Sequence, residues 1–235
     1  LFIISISNET HAVNAQNGET LWSHSGILEP AALLGNASPA VMDDTVIVAY
    51  SSGEVFAFQA QNGQVLWSDT IMPAVRTDTV ASIPHIRARP VIDRGQVFIL
   101  SHGGRMTAID LKTGSRLWQK FISGIRTPAV SGDHIFVQTN TSDVLCLDRN
   151  SGEVFWAAAL PALTKDKDPI FWAGPTMVND TLAFSGTNGE LQLLKVVDGS
   201  LSYTLNFDGK AFISPVVANE TLYLLGDNGT LYAWG

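Results

Sequence analysis

The sequence predicts an all-β protein of the propeller type, and three observations predict it. A proline, a glycine and a tryptophan recur at fixed spacing, each recurrence holds short β-rich runs joined by tight turns, and no stretch of any length reads as a helix. Pro39, Pro90, Pro128 and Pro175 are each followed 24 positions later by Gly63, Gly114, Gly152 and Gly199, and four positions after that stands Trp67, Trp118, Trp156 or Tyr203. The first unit lacks the proline but has Gly18 and Trp22, and the last has Pro215 and stops at Gly235. Self-similarity at a period of roughly 40 to 50 residues marks a propeller or array built from one supersecondary unit. The units run approximately over 1–24, 37–69, 88–120, 126–158, 173–205 and 213–235. They form a single domain, because repeats bury their apolar faces only against their neighbours.

Within a unit the elements follow in a constant order. A first run lies around Pro-Ala-Val or Pro-Val-Ile. The second and third are a hairpin, as in Thr45–Tyr50, the turn Ser51-Ser52-Gly53-Glu54, and Val55–Phe58. Gly103-Gly104 and Asn188-Gly189 supply the positive φ that such turns need. The fourth run carries the tryptophan, as in Gln64-Val65-Leu66-Trp67, after a second turn written Gln61-Asn62-Gly63, Lys112-Thr113-Gly114, Asn150-Ser151-Gly152 or Val197-Asp198-Gly199. Each unit is therefore a four-stranded antiparallel meander, and four-stranded units stacked radially make a propeller. Trp22, Trp67, Trp118, Trp156 and Tyr203 are the expected wedges between adjacent blades. Phe2–Ile6 fits the second strand of a blade and Leu231–Trp234 the third strand of another, so about five to six blades are represented, read as an arc of a larger ring.

Composition narrows the function classes. The chain is 46% hydrophobic and 15% charged, enough for a core, while its apolar runs are far shorter than a membrane span. A net charge of -8 with only 14 scattered Lys and Arg argues against a nucleic-acid backbone as partner. Cys146, the one cysteine, lies in an alternating stretch and reads as a small buried hydrophobe. The chain opens without methionine or a signal segment, so any targeting sequence is expected to have been removed or to lie outside this sequence. His11, His24, His85, His102 and His134 show no metal-ligand spacing, and His102 reads as an exposed turn residue. The triplets at Asn8, Asn179 and Asn219 read as turns opening the second strand of a blade.

Two long linkers interrupt the rhythm, and insertions in such arrays map to loops on one face, often the binding face. Ile27–Gly35 is unusually apolar, and Arg76–Arg89 gathers three of the few arginines. An apolar patch beside a basic one suits a protein partner.

The segment Thr107-Ala108-Ile109-Asp110-Leu111-Lys112-Thr113-Gly114-Ser115-Arg116-Leu117-Trp118 resembles the Ala-x-Asp-x-x-Thr-Gly-x-x-x-Trp signature of the pyrroloquinoline-quinone (PQQ)-type propeller repeat. Leu145–Trp156 is a second match. That superfamily holds both quinoprotein dehydrogenases and non-catalytic scaffolds, so fold alone does not give activity. The order of short and long linkers, the linker from Ser68 to Arg89 and the continuous run from Gly95 through Trp156 are similar to the BamB family, eight-bladed lipoproteins of the outer-membrane β-barrel assembly machinery.

This resemblance implies a non-enzymatic scaffold at the periplasmic face of the outer membrane, without cofactor or metal. It would bind the POTRA domains of BamA, with unfolded outer-membrane proteins as further clients, and would meet the membrane through an N-terminal lipid anchor on a cysteine this chain does not carry. Carried over by position, the contact residues are Ala31, Leu33 and Leu34 in the first linker and His85 and Arg87 in the second. Two departures stand out: Leu34 replaces an expected arginine, and His85-Ile86-Arg87 replaces an expected Asp-x-Asp. The alternatives are a fragment of a PQQ-dependent dehydrogenase and a propeller that binds another protein or a glycan. The enzyme would need Ca²⁺ ligands and a base. Asp110 and Asp148, the candidate ligands, recur in register and read instead as turn or inter-blade hydrogen-bonding groups.

Overall fold

The structure is a computed structural model and describes residues 1–28, 35–73 and 85–235. Among these residues there are 22 strands and no helix, arranged in six antiparallel sheets. The chain divides into two compact units, residues 1–127 with 150–152, and residues 128–149 with 153–235.

The first unit holds three sheets. They are β1 (Phe2–Ile4), β2 (Glu9–Val13) and β3 (Thr20–Ser25); β4 (Ala40–Met42), β5 (Thr45–Ala49), β6 (Glu54–Gln59) and β7 (Val65–Thr70); and β8 (Val91–Asp93), β9 (Gln96–Leu100), β10 (Met106–Asp110) and β11 (Arg116–Lys120). The second unit holds β12 (Ala129–Ser131), β13 (His134–Gln138), β14 (Asp143–Asp148) and β15 (Val154–Ala159); β16 (Trp172–Val178), β17 (Thr181–Gly186), β18 (Glu190–Lys195) and β19 (Leu201–Asn206); and β20 (Val216–Ala218), β21 (Thr221–Leu225) and β22 (Leu231–Trp234). Every sheet pairs its strands in chain order, the meander expected from the turns.

The inner strands of the four-stranded sheets supply most of the core. Ile47, Ala49, Val55 and Ala57 of the second sheet pack with Val97, Ile99 and Ile109 of the third, and Ile71 and Ile86 from the loops close that cluster. In the second unit Phe136, Val144 and Cys146 pack with Trp172, Leu182 and Phe184. A second layer of contacts is polar. Asn8 is buried and its amide donates to the Ile27 carbonyl at 2.7 Å and to Ser51 Oγ at 2.8 Å, joining the first sheet to the second. Asn8 thus stands in the turn between β1 and β2, not in a turn opening a second strand. The triplet is a local signal, and only the pairing of β1 shows which turn it occupies. Tyr50 Oη lies 2.7 Å from Thr10 Oγ1, and burial raises its pKa to about 12. Arg116 grips Asp69 through two bonds of 2.7 Å and so staples β11 to β7.

Why the glycine and the tryptophan recur together is visible at each junction within a unit. Trp22 Nε1 donates to the Ala60 carbonyl at 2.9 Å, Trp67 Nε1 to Leu111 at 2.8 Å, and Trp156 Nε1 to Val196 at 3.0 Å, in each case three residues before the next glycine of the repeat. A Cβ on Gly63, Gly114, Gly152 or Gly199 would lie 2.7, 2.7, 2.7 or 2.6 Å from the ring of Trp22, Trp67, Trp118 or Trp156. The glycine of one blade is thus the floor on which the preceding tryptophan lies.

Opposite each tryptophan across the strand pair stands a small residue, Ala12, Ala57, Ala108 or Cys146, followed at once by a bulge. The small side chain leaves room on that face, and the bulge re-aims the strand. This explains Cys146, which is 1% exposed and whose thiol burial raises to about 11, an inert packing residue. Tyr203, in the equivalent place, is 63% exposed and stands opposite Leu193.

Candidate partner-docking site

Four segments of the first unit converge at its linker end: residues 35–37, 85–90, the turn 101–105 after β9, and 121–127 after β11. The segment 85–90 is held by alternate burial. His85, Ile86 and Ala88 are at most 1% exposed, and Ile86 belongs to the core with Ile71 and Ile99, so Arg87 and Arg89 are left facing solvent. The two linkers are clasped at their ends, because the His85 ring hydrogen-bonds the Gly35 backbone. Gly35 has φ +90°, and a Cβ there would lie 3.7 Å from Arg87 Nε.

The remaining segments are tied to this clasp. The His102 N–H donates to the His85 carbonyl at 2.9 Å, the Gly124 N–H to Ser101 at 3.2 Å, and the Arg89 N–H to Thr127 Oγ1 at 3.2 Å. Ser101 closes its own turn through bonds to both backbone groups of Arg105. Beside it, buried Ile122 anchors the chain while Phe121 is 75% exposed, and the Arg105 guanidinium lies 4.0 Å over the Phe121 ring. Such a contact is worth about 0.5–1 kcal/mol at an exposed site and holds both groups in place.

The face is positive. Arg126 is half-buried, and burial followed by the like charge of Arg87 pulls its pKa down from the ordinary arginine value, while the guanidinium stays ionised. Burial lowers His85 from the ordinary 6.5 and outweighs the opposing Gly35 bond, and the charges of Arg87 and His102 add smaller effects in the same direction as burial. As pH falls, the unfolded chain therefore takes up this proton first, so the stability His85 contributes is full above about pH 6.5 and is lost below it. His24, lowered mainly by burial, acts in the same direction. The expected result is a lower melting midpoint at pH 5.5 than at pH 7.5, with the difference reduced in His85→Gln. A difference unchanged by that substitution would remove His85 from the clasp.

Of the expected contact residues, Ala31, Leu33 and Leu34 lie outside the described residues. Arg87 is exposed on the linker. His85, expected to meet a partner, is instead 0% exposed and spends its imidazole on Gly35, because the apolar residues around it draw this stretch inward. His102, read as exposed, is half-buried, since the 85–86 segment covers its turn. Arg105, Phe121 and Arg126 were not singled out by the sequence; they sit in short connections of ordinary length, and only the meeting of turns makes them one surface. Asp110 accepts bonds from the Thr113 backbone and hydroxyl at 2.8 and 2.7 Å, which pulls its pKa down and places it in the turn. Among the described residues no group of three or more His, Cys, Asp or Glu is placed to hold a metal ion, and no helix is long and apolar enough to cross a membrane.

The family described as outer membrane protein assembly factor BamB matches residues 1–158. The chain belongs to the BamB family. It is 26% identical to the BamB of Yersinia pestis over 95% of its length, and spans 56% of that relative. Thus a little over half of the BamB relative's length is represented here. The crystal structure of BamB from Moraxella catarrhalis superposes with a TM-score of 0.85 at 19% identity, over 99% of this chain and 68% of that one, which establishes the β-propeller fold. A quinohemoprotein alcohol dehydrogenase from Pseudomonas putida also superposes, with a TM-score of 0.65 at 14% identity over 91% of this chain and 40% of that one, a likeness of fold alone.

Proposed function

We propose that this BamB-family chain is part of a non-enzymatic scaffold for outer-membrane protein assembly, working at the periplasmic face of the outer membrane, and that its linker face docks the POTRA domains of BamA. The observation that carries the reading is the built character of that face. Ile86 and Ala88 are driven into the core, the clasp through His85 fixes the backbone, and Arg87 is thereby presented to solvent in a set orientation. Side chains presented from a fixed backbone lose less freedom on binding. Membership of the BamB family supports the assembly role.

Calorimetric titration of the full-length protein with the POTRA array of its own organism tests this directly, with PQQ plus Ca²⁺ titrated in parallel. Micromolar or tighter binding of the POTRA array with no heat from the quinone is expected. No heat with POTRA withdraws the assembly role, and saturable heat with quinone and Ca²⁺ turns the case toward the dehydrogenase.

A further inference from the structure

We infer that the partner of this face is an acidic protein surface, and that Arg89, Arg105, Arg126 and Phe121 meet it together with Arg87. The inference rests on reading the face as a docking surface and deepens it by naming the chemistry of the partner.

The first ground is charge placement. In a chain of net charge -8 with 14 Lys and Arg, four arginines lie on one group of tied loops. Arg87 and Arg126 are within electrostatic reach of each other. Among the described residues none of the ion pairs involves Arg87, Arg89 or Arg105. Like charges gathered in the free protein repel, and carboxylates arriving from a partner relieve that repulsion and steer the encounter.

The second ground is residue type. The cluster is arginine throughout, whose planar fork matches a carboxylate with two parallel bonds, which a lysine does not do. The third is Phe121, three-quarters exposed and braced by Arg105. An aromatic ring held ready beside arginines is the composition of an interface centre, where a partner's apolar side chain covers the ring and carboxylates ring it. The net charge of -8 disfavours a nucleic acid as partner.

The test uses the full-length protein, with Arg89→Glu/Arg105→Glu as a double variant and Phe121→Ala as a single one, each first checked for an unchanged melting midpoint. Association is followed with the BamA POTRA array, with a synthetic Glu-rich peptide and its Lys-rich counterpart, and with phosphatidylglycerol vesicles. For the POTRA array the double reversal is expected to slow association by about tenfold or more and to flatten its salt dependence. Phe121→Ala is expected to speed dissociation by about tenfold, as loss of an interface anchor does.

If the array binds the wild type and the double variant equally fast, the acidic-partner inference falls while the assembly role stands. If the array fails to bind but the Glu-rich peptide binds wild type and not the variant, the assembly role falls and the inference stands. Binding to neither protein probe, equal binding of the Lys-rich peptide, or tighter binding to the vesicles than to either overturns it.

Discussion

Gly114→Ala is expected to destabilise the protein by about 2–5 kcal/mol, and the part of that cost due to the indole ring should vanish when Trp67 is also replaced by alanine. Two penalties act at Gly114. Its φ of +73° is left-handed, which a Cβ disfavours by roughly 1–2 kcal/mol. The added Cβ would also lie 2.7 Å from the Trp67 ring, forcing the wedge out of its seat on the Leu111 carbonyl. Only the second penalty depends on the tryptophan. Trp67→Ala alone should cost roughly 3–5 kcal/mol, and in that background the alanine at 114 no longer meets the indole ring, while the Cβ of residue 67, 2.8 Å away, remains. Denaturant titration of the four proteins in the cycle should therefore show a coupling of about 1–3 kcal/mol. Gly18 is the control. Its φ is +77° with nothing within 4 Å, so Gly18→Ala should show the backbone penalty alone. Additive costs at 67 and 114, or equal costs at 18 and 114, would mean that the glycine serves the turn and not the tryptophan.

Arg87→Glu is expected to weaken binding of the POTRA array by about tenfold to a hundredfold with no loss of stability. The separation of the two effects comes from the alternation along the linker. Ile86 and Ala88 carry the packing, and Arg87 between them is exposed, so its replacement removes an outward charge and leaves the core intact. Calorimetry and thermal melts on the same preparation distinguish the cases. A lowered melting midpoint would place Arg87 among the structural residues, and an unchanged affinity would remove it from the interface.

Much of the fold was legible because it is written locally and repeatedly. Glycines at positive φ and the tryptophan four residues later mark each final hairpin, and the period shows that one unit is reused. What the period could not reveal is that each tryptophan serves the glycine of the following blade, Trp67 with Gly114, rather than the one four residues before it. The small residue opposite each tryptophan, Ala57 or Cys146, was likewise hidden until the strand pairing was known.

The site was less legible for a physical reason. Within Pro84-His85-Ile86-Arg87-Ala88-Arg89-Pro90 nothing in the composition says that the histidine turns inward and the arginine outward; the core around Ile71 and Ile99 decides it. Arg105 and Phe121 are sixteen residues apart on different loops, and their contact exists only because β10 and β11 bring the two turns together.

The most direct test of the docking reading is site-specific photo-crosslinking in cells, with a photoreactive amino acid placed at Arg87 or at Leu117, an exposed position on the outer strand β11. The predicted result is a covalent product with BamA from position 87 and none from position 117. A BamA product from position 117 without one from position 87, or from neither, would contradict the assignment of the linker face as the docking surface.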